Sequence, residues 1–430
     1  MKKGTSIIIT GEKLVFGGQA LCHYDGKSVF AWNVLPGEIV EAEVIKKKSS
    51  HIEALGRHII KQSPHRISPE EDHHLSCSPW QIISWAEENK WKKLIADEVY
   101  KRIGGNFPID DLKIITNANE QFHYRNKIEY SFAINNDNEI SLAFFSRGTH
   151  TRVPISYCAL AQPSINEAAL SITRWLNTYN FPIRSLKSLI MRTNEVGNTI
   201  AALFIKDRVS IIKSPALRIP LDGMSIYYSH PRSPASRPDE LLLSKGSDYL
   251  CTTINGIALK YGVMSFFQVN IQLFKHALDD IKNFLDPKKI LVDYYCGVGA
   301  ISIPLAPCCT QGILIENNDE AVAYARENIR NNTITHFTVH NASTEKALEF
   351  IQADRIILFD PPRAGLHKKI IAKLLEERPF RIIYLSCNLA TQARDVHELL
   401  SCYTISLVRL YNFFPRTPHI EGLCILDRKN

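Results

Sequence analysis

The sequence predicts a multidomain chain with an N-terminal β-barrel of the OB type, a central α+β domain and a C-terminal Rossmann-like α/β domain. Its 430 residues are about three times the ~150 residues of a typical single domain. Short strand patterns separated by turns fill the start of the chain, whereas strand and helix patterns alternate through the last third. We therefore place the domain boundaries at 1–60, 61–260 and 261–430.

The composition is that of an ordinary folded protein. Hydrophobic residues make up 45% of the chain and charged residues 22%, which excludes a disordered, collagen-like or coiled-coil protein. No apolar stretch approaches the ~18 residues of a membrane span, and the basic start leads into only three isoleucines. Ten cysteines without any Cys-x-x-Cys spacing predict reduced thiols. We therefore expect a cytoplasmic monomer with no membrane segment and no signal peptide.

The first domain consists of short strand patterns. Asp25-Gly26 between two apolar runs is a strong hairpin signal. Short, evenly spaced strands favour a small barrel of the OB type, a fold whose open face binds nucleic acid in many proteins. The predicted strands are residues 6–10, 21–24, 29–33 and 39–45.

Positive charge is concentrated next to this predicted barrel. The whole chain has 51 Lys+Arg against 44 Asp+Glu, a net charge of +7 that suits an anionic partner. Between Lys46 and Arg66 there are six basic residues and one acid, Glu53, a net charge of +5. Two interpretations remain open: a surface that contacts RNA phosphates, and a solvated loop.

The central domain mixes helix and strand patterns. A helix is predicted over 80–103, where Gly104-Gly105 stops it. Residues 206–240 are rich in proline and arginine, which predicts a long hairpin or a flexible insertion. The other predicted elements are strands at 124–134, 140–145, 189–193 and 200–205, and a helix at 165–177.

The C-terminal domain carries a nucleotide-binding pattern. A buried strand at 290–293 leads into a glycine turn with Gly297 and Gly299, a helix is expected next, and the following strand ends at Glu316. Glycines at such a turn let the backbone approach a ligand, and an acid at the end of the next strand can accept both ribose hydroxyls. Ser302 stands where a dinucleotide site has its third glycine, which favours a nucleoside ligand such as S-adenosylmethionine. The last two strand patterns, 404–411 and 420–427, should pair antiparallel at one edge of a doubly wound parallel sheet.

Three further motifs bring reactive side chains to the same sheet. Cys387 follows a strand in Ser-Cys-Asn, and Asp360 follows another in Asp-Pro-Pro-Arg, so both should lie at the carboxyl ends of strands, where open α/β sheets bind ligands. Phe266-Phe267-Gln268-Val269-Asn270 sets two amides beside two aromatic rings. Each motif has an ordinary alternative, because free cysteines and aromatic pairs are often simply buried in a core.

Together these motifs resemble the RNA uracil-5-methyltransferases, which make 5-methyluridine in ribosomal and transfer RNA. In addition, YRNKIEYSF (124–132) resembles the central-domain signature of that family, and the N-terminal barrel resembles its TRAM domain. The resemblance therefore covers nearly the whole chain. The matching segments are FFQVN (266–270), DYYCGVG (293–299), the strand ending at Glu316, DPPRAG (360–365), YLSCNLATQARD (384–395) and PHIEG (418–422).

The resemblance implies roles for individual residues. Cys387 would be the nucleophile that adds to uracil C6, Glu421 the base that removes the C5 proton, and Asp360 would lie beside the cofactor and the target base. The implied contacts of S-adenosylmethionine are Gln268, Tyr295, Gly297, Gly299, Glu316, Asn341 and Asp360. The residues that we expect to contact RNA are Arg125, Lys127, Lys46, Lys47, Lys48, Phe266 and Arg363.

The sequence departs from the resemblance at a metal site. Many family members carry a 4Fe–4S cluster on four cysteines, whereas this chain has Glu71, Cys77, Trp80 and Cys158 at the aligned positions. Two thiolates cannot replace four, so we expect no iron–sulfur cluster and no metal. We expect His73 and the adjacent His74 to be ordinary surface residues.

Other functions are less consistent with the motifs. A cytosine-C5 methyltransferase would have a cysteine after the motif's proline, but Arg363 follows Pro362. An inactive RNA-binding relative is disfavoured because Cys387 and Glu421 are both present, and a nicotinamide-dependent oxidoreductase is disfavoured by the missing third glycine. Ribosomal RNA is the preferred substrate over transfer RNA because of the TRAM-like barrel, although some enzymes that modify transfer RNA also have one.

Overall fold

The structure is a computed structural model, and it describes residues 2–105, 107, 112–208, 221–233 and 236–429. No helix in these ranges is long and apolar enough to cross a membrane.

The N-terminal residues form a six-stranded sheet with the order β1-β5-β6-β4-β3-β2. Its strands alternate between the core and solvent, so that Ile7 and Ile9 are buried while Ile8 between them is exposed. The four predicted strands are confirmed in position, and the TRAM assignment stays a prediction. The strands are β1 Ser6–Thr10, β2 Lys13–Leu14, β3 Ala20–Tyr24, β4 Lys27–Trp32, β5 Ile39–Lys47 and β6 Ile52–Lys61.

The basic segment belongs to this sheet and does not follow it. Lys46 and Lys47 end β5, and the chain turns back at once into β6, the longest strand of the sheet. In β6, buried Ile52, Ala54 and Gly56 alternate with more exposed side chains, so the pattern has the period of a strand. The loop interpretation is therefore wrong for most of the segment, because Lys46, Lys47, Arg57 and Lys61 lie on strands.

The central region contains a second sheet with the order β10-β9-β8-β11-β12-β13-β14 and one long helix, α3, packed on it. The predicted strands and the predicted helix are confirmed. Part of the 206–240 segment lies outside the described residues; its described part includes β13, which pairs parallel with β12 and antiparallel with β14. The elements are β8 Lys127–Ile134, β9 Ile140–Phe145, β10 Arg152–Ile155, α3 Pro163–Thr178, β11 Leu186–Thr193, β12 Thr199–Ile205, β13 Gly223–Tyr228 and β14 Glu240–Gly246, followed by a hairpin of β15 Tyr249–Ile254 and β16 Ile257–Gly262.

The C-terminal residues form an eight-stranded sheet with the order β19-β18-β17-β20-β21-β23-β22-β7. The strands from β17 to β21 run parallel, and β23 is antiparallel to both β21 and β22, as the sequence predicts. The elements are α4 Ile271–Lys282, β17 Leu291–Tyr294, β18 Gly312–Glu316, α5 Asp319–Asn331, β19 Phe337–Asn341, β20 Ile356–Phe359, α6 Lys368–Glu377, β21 Arg381–Ser386, α7 Leu389–Leu399, β22 Tyr403–Tyr411 and β23 Glu421–Arg428.

Two expectations for this sheet are wrong. The segment after the glycine turn is a 3-10 helix, Ile303–Cys308, because Pro304 and Pro307 lack the N–H groups that an α-helix needs. The final strand pair does not form the edge of the sheet, since β7 (Lys113–Ile115) pairs parallel with β22.

The predicted central domain also contributes a helix to the C-terminal layer. α1 (His74–Cys77) is a single turn, and α2 (Trp85–Gly104) packs on α7, where the Tyr100 hydroxyl donates to Gln392 Oε1 at 2.6 Å. Within α2, buried Lys92 forms an ion pair with Glu88 at 2.8 Å. The chain therefore crosses to the C-terminal sheet before it builds the central sheet, which a grouping by sequence position does not reveal.

Candidate active site at the carboxyl edge of the C-terminal sheet

One edge of the C-terminal sheet collects most of the predicted site residues. The parallel strands β18, β20 and β21 end there, and Glu316, Asp360 and Cys387 stand at or just after those ends. β23 runs in the opposite direction, so its first residue, Glu421, lies at the same edge. Four side chains from distant parts of the sequence are thus brought together by strand direction alone.

The glycine turn and Glu316 form a rigid pair. Gly297 and Gly299 have φ values of +56° and +85°, and a Cβ on Gly299 would lie 2.3 Å from Ile303 Cδ1. The Gly297 N–H donates to Glu316 Oε2 at 3.0 Å, while Oε1 accepts the N–H groups of Asn317 and Asn318. The carboxylate is therefore fixed beside the turn.

Tyr295 and Asn341 flank this pair. Tyr295 is half-buried and has a φ of +64° at the entry to the glycine turn. Asn341 ends β19 opposite Glu316 on β18, and its amide donates to Asp319 Oδ1 at 2.6 Å. The structure thus brings five of the predicted cofactor residues to one corner of the sheet.

Gln268 and Asp360 meet at the next strand. The Gln268 side-chain amide donates to Asp360 Oδ2 at 3.3 Å, and the Gln268 carbonyl accepts from the Asn126 amide at 2.9 Å. Burial raises the pKa of Asp360 to about 7, against the opposing effect of the Gln268 hydrogen bond. The second amide of this motif has a structural role, because Asn270 caps α4 by accepting from the Leu273 N–H.

Cys387 and Glu421 lie opposite each other on neighbouring strands, Cys387 directly after β21 and Glu421 at the start of β23. Ser386 pairs with Gly422, so one step further along the same antiparallel register sets Cys387 opposite Glu421. Burial, with a smaller effect of Asp360, raises the pKa of Glu421 well above its usual range. Burial and the neighbouring Glu421 also raise the pKa of Cys387 to about 11, while Arg363 acts in the opposite direction.

The two turns that carry Asp360 and Cys387 are tied together. The Asn388 amide donates to the Arg363 carbonyl at 2.8 Å, and the Thr391 hydroxyl donates to the same oxygen at 3.3 Å. Asn388 also caps α7 by accepting from the Ala390 N–H. We call Asp360, Arg363, Cys387 and Glu421 the catalytic cluster.

A cavity of ≈ 190 Å³ opens above Cys387. Its lining includes Phe16 and Gly17 from the N-terminal sheet, Lys92 from α2, and His419, whose pKa burial lowers to about 4. Sequence reasoning missed Phe16 because no motif marks it. The only local signal is the glycine pair that follows it, and the contact depends on how the first domain docks.

Asp293 was also missed as a possible functional residue. It is 1% exposed in the middle of β17, and neither carboxylate oxygen makes a hydrogen bond of ordinary geometry within the described ranges. Burial raises the pKa of Asp293 to about 7, partly offset by Ser302 and reinforced by Asp360 and Glu316. An acid next to a glycine turn in an otherwise apolar strand was the available signal.

The predicted RNA contacts differ in how far they are exposed. Phe266 is 67% exposed, whereas Phe267 is buried and stacks on Tyr261 with ring centroids 4.0 Å apart. Arg125 and Lys127 are half-buried, and burial together with the Arg192 charge lowers the pKa of Lys127 to about 7.

Two other predicted RNA-contact groups lie apart from each other. Arg363 is exposed beside Cys387, whereas Lys46, Lys47 and Lys48 lie exposed at the tip of the β5–β6 hairpin. The exposed positions remain predicted RNA contacts.

The aligned cluster positions do not fit a 4Fe–4S cluster. Glu71, Cys77 and Cys158 converge, with their donor atoms within 4.8 Å of one another, but the Trp80 indole donates to the Gly18 carbonyl at 2.9 Å. Only two thiols are available there among the described residues. The surface expectation for His73 is wrong, because its side chain is only 10% exposed and packs against other groups of the core.

Comparisons with known proteins match this chain to RNA methyltransferases. A model of the tRNA (uracil-5-)-methyltransferase family matches residues 253–429. An uncharacterized RNA methyltransferase of Fusobacterium nucleatum is 28% identical over 100% of this chain and 97% of its own length. One from Enterococcus faecalis is 27% identical over 100% and 98%.

A solved structure has a similar fold. The tRNA (uracil-54, C5)-methyltransferase of Pyrococcus abyssi, in complex with S-adenosyl-L-homocysteine, superposes with a TM-score of 0.80. The match covers 98% of this chain and 100% of that one at 23% identity. The likeness shows that the two proteins share a fold over nearly their full lengths.

Proposed function

We propose that this chain is an RNA uracil-5-methyltransferase and that it methylates C5 of a uracil in RNA with S-adenosylmethionine as the methyl donor. The observation that carries the proposal is that Cys387, which lines a cavity, lies opposite the buried Glu421 in the register of β21 and β23. A thiol for covalent addition and a carboxyl group for proton removal are the two groups that this chemistry requires.

The residues at the glycine turn fit S-adenosylmethionine. Glu316, whose carboxylate is held by three backbone N–H groups, would accept the ribose hydroxyls, and Gly297 and Gly299 leave room for the nucleoside. Gln268 and Asp360 would lie beside the charged end of the molecule. When bound, S-adenosylmethionine supplies an electrophilic methyl group. In the Pyrococcus abyssi protein the bound molecule is S-adenosyl-L-homocysteine.

Cys387 performs the first step of the proposed mechanism. Uracil C5 is a weak nucleophile, so the Cys387 thiolate adds to C6, and the electrons of the C5–C6 double bond move toward C5 and O4. The new C6–S bond thus makes C5 reactive toward a methyl group. The high pKa of the thiol in the free site means that the Cys387 proton leaves to solvent as the substrate binds, and the nearby Arg363 favours the thiolate that remains.

Glu421 performs the last step. After C5 is methylated, its remaining hydrogen leaves as a proton to the Glu421 carboxylate, the C5–C6 double bond forms again and the C6–S bond breaks. The buried position of Glu421 suits this role, because a carboxyl group whose pKa is raised holds the proton that it has taken. Elimination then returns Cys387 to the starting state.

Ribosomal RNA is the substrate that we propose first, because the N-terminal sheet resembles a TRAM domain and contributes Phe16 to the cavity. Transfer RNA is the second candidate, since the Pyrococcus abyssi protein with a similar fold acts on transfer RNA. In both cases the target uracil must leave its stack to reach Cys387.

Tritium release tests the proposed reaction and its substrate together. Ribosomal RNA and transfer RNA labelled at uracil C5 are incubated separately with the protein and S-adenosylmethionine, because C5 methylation releases one tritium per methyl group transferred. Cys387→Ala should release none, whereas Cys251→Ser, which changes an exposed thiol on β15, should match the wild type. Methyl transfer without tritium release would show that another atom is methylated.

A further inference from the structure

A second group of metal-ligand side chains lies in the region before the central sheet. Glu71 and His73 precede α1, Cys77 ends that turn, and Cys158 arrives from the loop between β10 and α3. The donor atoms of Glu71, Cys77 and Cys158 lie within 4.8 Å of one another, and His73 Nε2 is 3.2 Å from a Glu71 oxygen. We call these four residues the donor cluster.

The donor cluster is buried and incompletely satisfied. The side chains of Glu71 and His73 are 4% and 10% exposed, and His73 Nε2 makes no hydrogen bond of ordinary geometry within the described part of the chain. A buried imidazole nitrogen without a hydrogen bond, next to a carboxylate and two sulfurs, is costly unless something binds it. A cation among these donors would bind His73 Nε2 and would replace the hydrogen bond that the Cys77 thiol donates to Glu71 Oε1 at 3.3 Å.

We infer that Glu71, His73, Cys77 and Cys158 bind a single zinc ion. Two sulfurs, one imidazole nitrogen and one carboxylate oxygen make a mixed soft and hard set of four, which suits tetrahedral Zn²⁺. Zinc–ligand bonds of about 2.0–2.3 Å require donors roughly 3.5 Å apart, so the donors of Glu71, Cys77 and Cys158 have to contract by only about 1 Å, and the His73 ring has to turn toward the two sulfurs. A zinc site needs four protein ligands and no inorganic sulfide. The absence of two cysteines therefore excludes an iron–sulfur cluster but does not exclude a zinc ion.

The surroundings hold the proposed ligands in place. The Asn166 side chain binds Cys158 on both sides, accepting from its N–H at 3.1 Å and donating to its carbonyl at 3.0 Å. Glu71 accepts from the Gln81 amide at 2.9 Å and from the Ala159 N–H at 2.7 Å. Such outer hydrogen bonds orient metal ligands before the ion arrives.

The charges of the surroundings also suit the ion. Two thiolates and one carboxylate around Zn²⁺ leave a net charge of −1. Two arginines compensate for it, because Arg125 interacts electrostatically with both cysteines and Arg147 interacts with Cys77. Arg147 is positioned by a hydrogen bond from its Nε to the Leu75 carbonyl at 2.6 Å. A filled site would connect the segment before α1 to the loop before α3.

Metal analysis of the full-length protein tests the inference. Protein purified without chelators should contain one zinc and less than one iron per chain, and apo protein should bind Co²⁺ with the visible absorption of a tetrahedral thiolate site. Cys77→Ser and Cys158→Ser should abolish both, whereas Cys251→Ser should retain them. Absence of zinc in the wild type and failure of its apo form to bind Co²⁺ would overturn the inference. About four irons per chain with an absorption band near ~400 nm would also overturn it.

Two further measurements do not depend on the folding of a cysteine variant. In the wild type, Zn²⁺ should slow alkylation of Cys77 and Cys158 at least ~10-fold while Cys251 reacts unchanged, as peptide mass spectrometry can show. His73→Ala should weaken Co²⁺ binding at least ~10-fold, and the matched His74→Ala should not. A Cys77–Cys158 disulfide in the metal-free, freshly purified protein, with no zinc uptake after reduction, would replace the zinc site with a covalent link.

Discussion

The catalytic cluster and the donor cluster both combine cysteine with carboxylate and nearby arginine, yet they are built differently. Glu71 in the donor cluster accepts hydrogen bonds from a side-chain amide and a backbone N–H, so its charge is held in place. Glu421 and Asp360 in the catalytic cluster are buried with few partners, and burial raises their pKa values. The carboxylate of the proposed zinc site is thus oriented by hydrogen bonds, whereas the groups proposed to exchange protons are left in an environment that lets both protonation states form.

The largest effect is expected for the cysteine of the catalytic cluster. Cys387→Ala should lower methylation by at least ~10⁴-fold, because it removes the thiol that lines the cavity, whereas Cys296 after the end of β17 is buried. RNA that contains 5-fluorouridine should trap the wild type covalently, since fluorine cannot leave as a proton. The adduct is detected as a band of reduced mobility on a denaturing gel.

Cys251→Ser is the control for this trap, because it removes an exposed thiol far from the sheet edge. An adduct with Cys387→Ala, or none with the wild type, would assign the nucleophile to another residue. S-adenosylmethionine affinity should stay within a few-fold in Cys387→Ala, because the proposed ribose contact is Glu316 on another strand.

Glu421→Gln should separate bond formation from release. The amide keeps the size of the side chain but cannot take the C5 proton, so the methylated covalent adduct should accumulate while turnover falls by ~10²–10⁴-fold. RNA affinity should be nearly normal. Efficient release of methylated RNA by this variant would exclude Glu421 as the base. Time courses of adduct and product on the same gel measure both quantities.

Replacing Asp293, whose carboxyl group is buried without a hydrogen bond of ordinary geometry in the described ranges, should have a smaller effect on the free energy of unfolding, and this effect should depend on pH. Its native pKa of about 7 exceeds the ordinary value of 3.8, so the native state binds the extra proton and the stability from this group falls as pH rises from about 4 to 7. Asp293→Asn has no carboxyl group at this position, so its stability does not fall with pH in this way. It should therefore gain stability relative to the wild type as pH rises, by up to about 4 kcal/mol at pH 8.

Urea unfolding of both proteins at pH 5 and pH 8 measures this difference. Asn341→Ala is the matched control, because it changes an exposed amide at the same corner and removes no buried charge. A constant difference between Asp293→Asn and wild type at the two pH values would mean that Asp293 is ionised throughout.

The C-terminal sheet could be predicted in detail because its signals are local. Each strand is a short apolar run, and Gly297, Asp360 and Cys387 directly follow such runs, so strand direction alone brings them to one edge. Glu421 was predictable only through the family resemblance, since an acid at the start of a strand carries no signal of its own. Its position opposite Cys387 depends on a register that pairs two distant segments.

Other parts depend on long-range docking that the sequence does not encode locally. Phe16 reaches the cavity because the N-terminal sheet packs beside α2, and β7 joins β22 across almost 300 residues. The donor cluster brings together Cys77 and Cys158, which are distant in the sequence. The family resemblance indicated which positions align with cluster ligands, but no local pattern indicated that His73 is buried beside them. Pairings of this kind are set by tertiary packing.

The smallest predicted effect concerns the positive charge at the tip of the β5–β6 hairpin. Lys46 and Lys47 are exposed at the tip of the β5–β6 hairpin, and Lys48 forms an ion pair with Glu53 at 2.8 Å. If the tip contacts RNA phosphates, Lys46→Gln with Lys47→Gln should flatten the slope of log K against log salt by about 1.4, at about 0.7 per contact. Adding Lys48→Gln should bring the change to at most ~2.

Single-turnover methylation at saturating RNA should barely change, because phosphate contacts position the RNA without taking part in the chemistry. The control Lys282→Gln with Lys288→Gln removes the same charge near the opposite edge of the C-terminal sheet and should leave the slope unaltered. Equal slopes in the two double variants would mean that the hairpin tip is only a solvated surface.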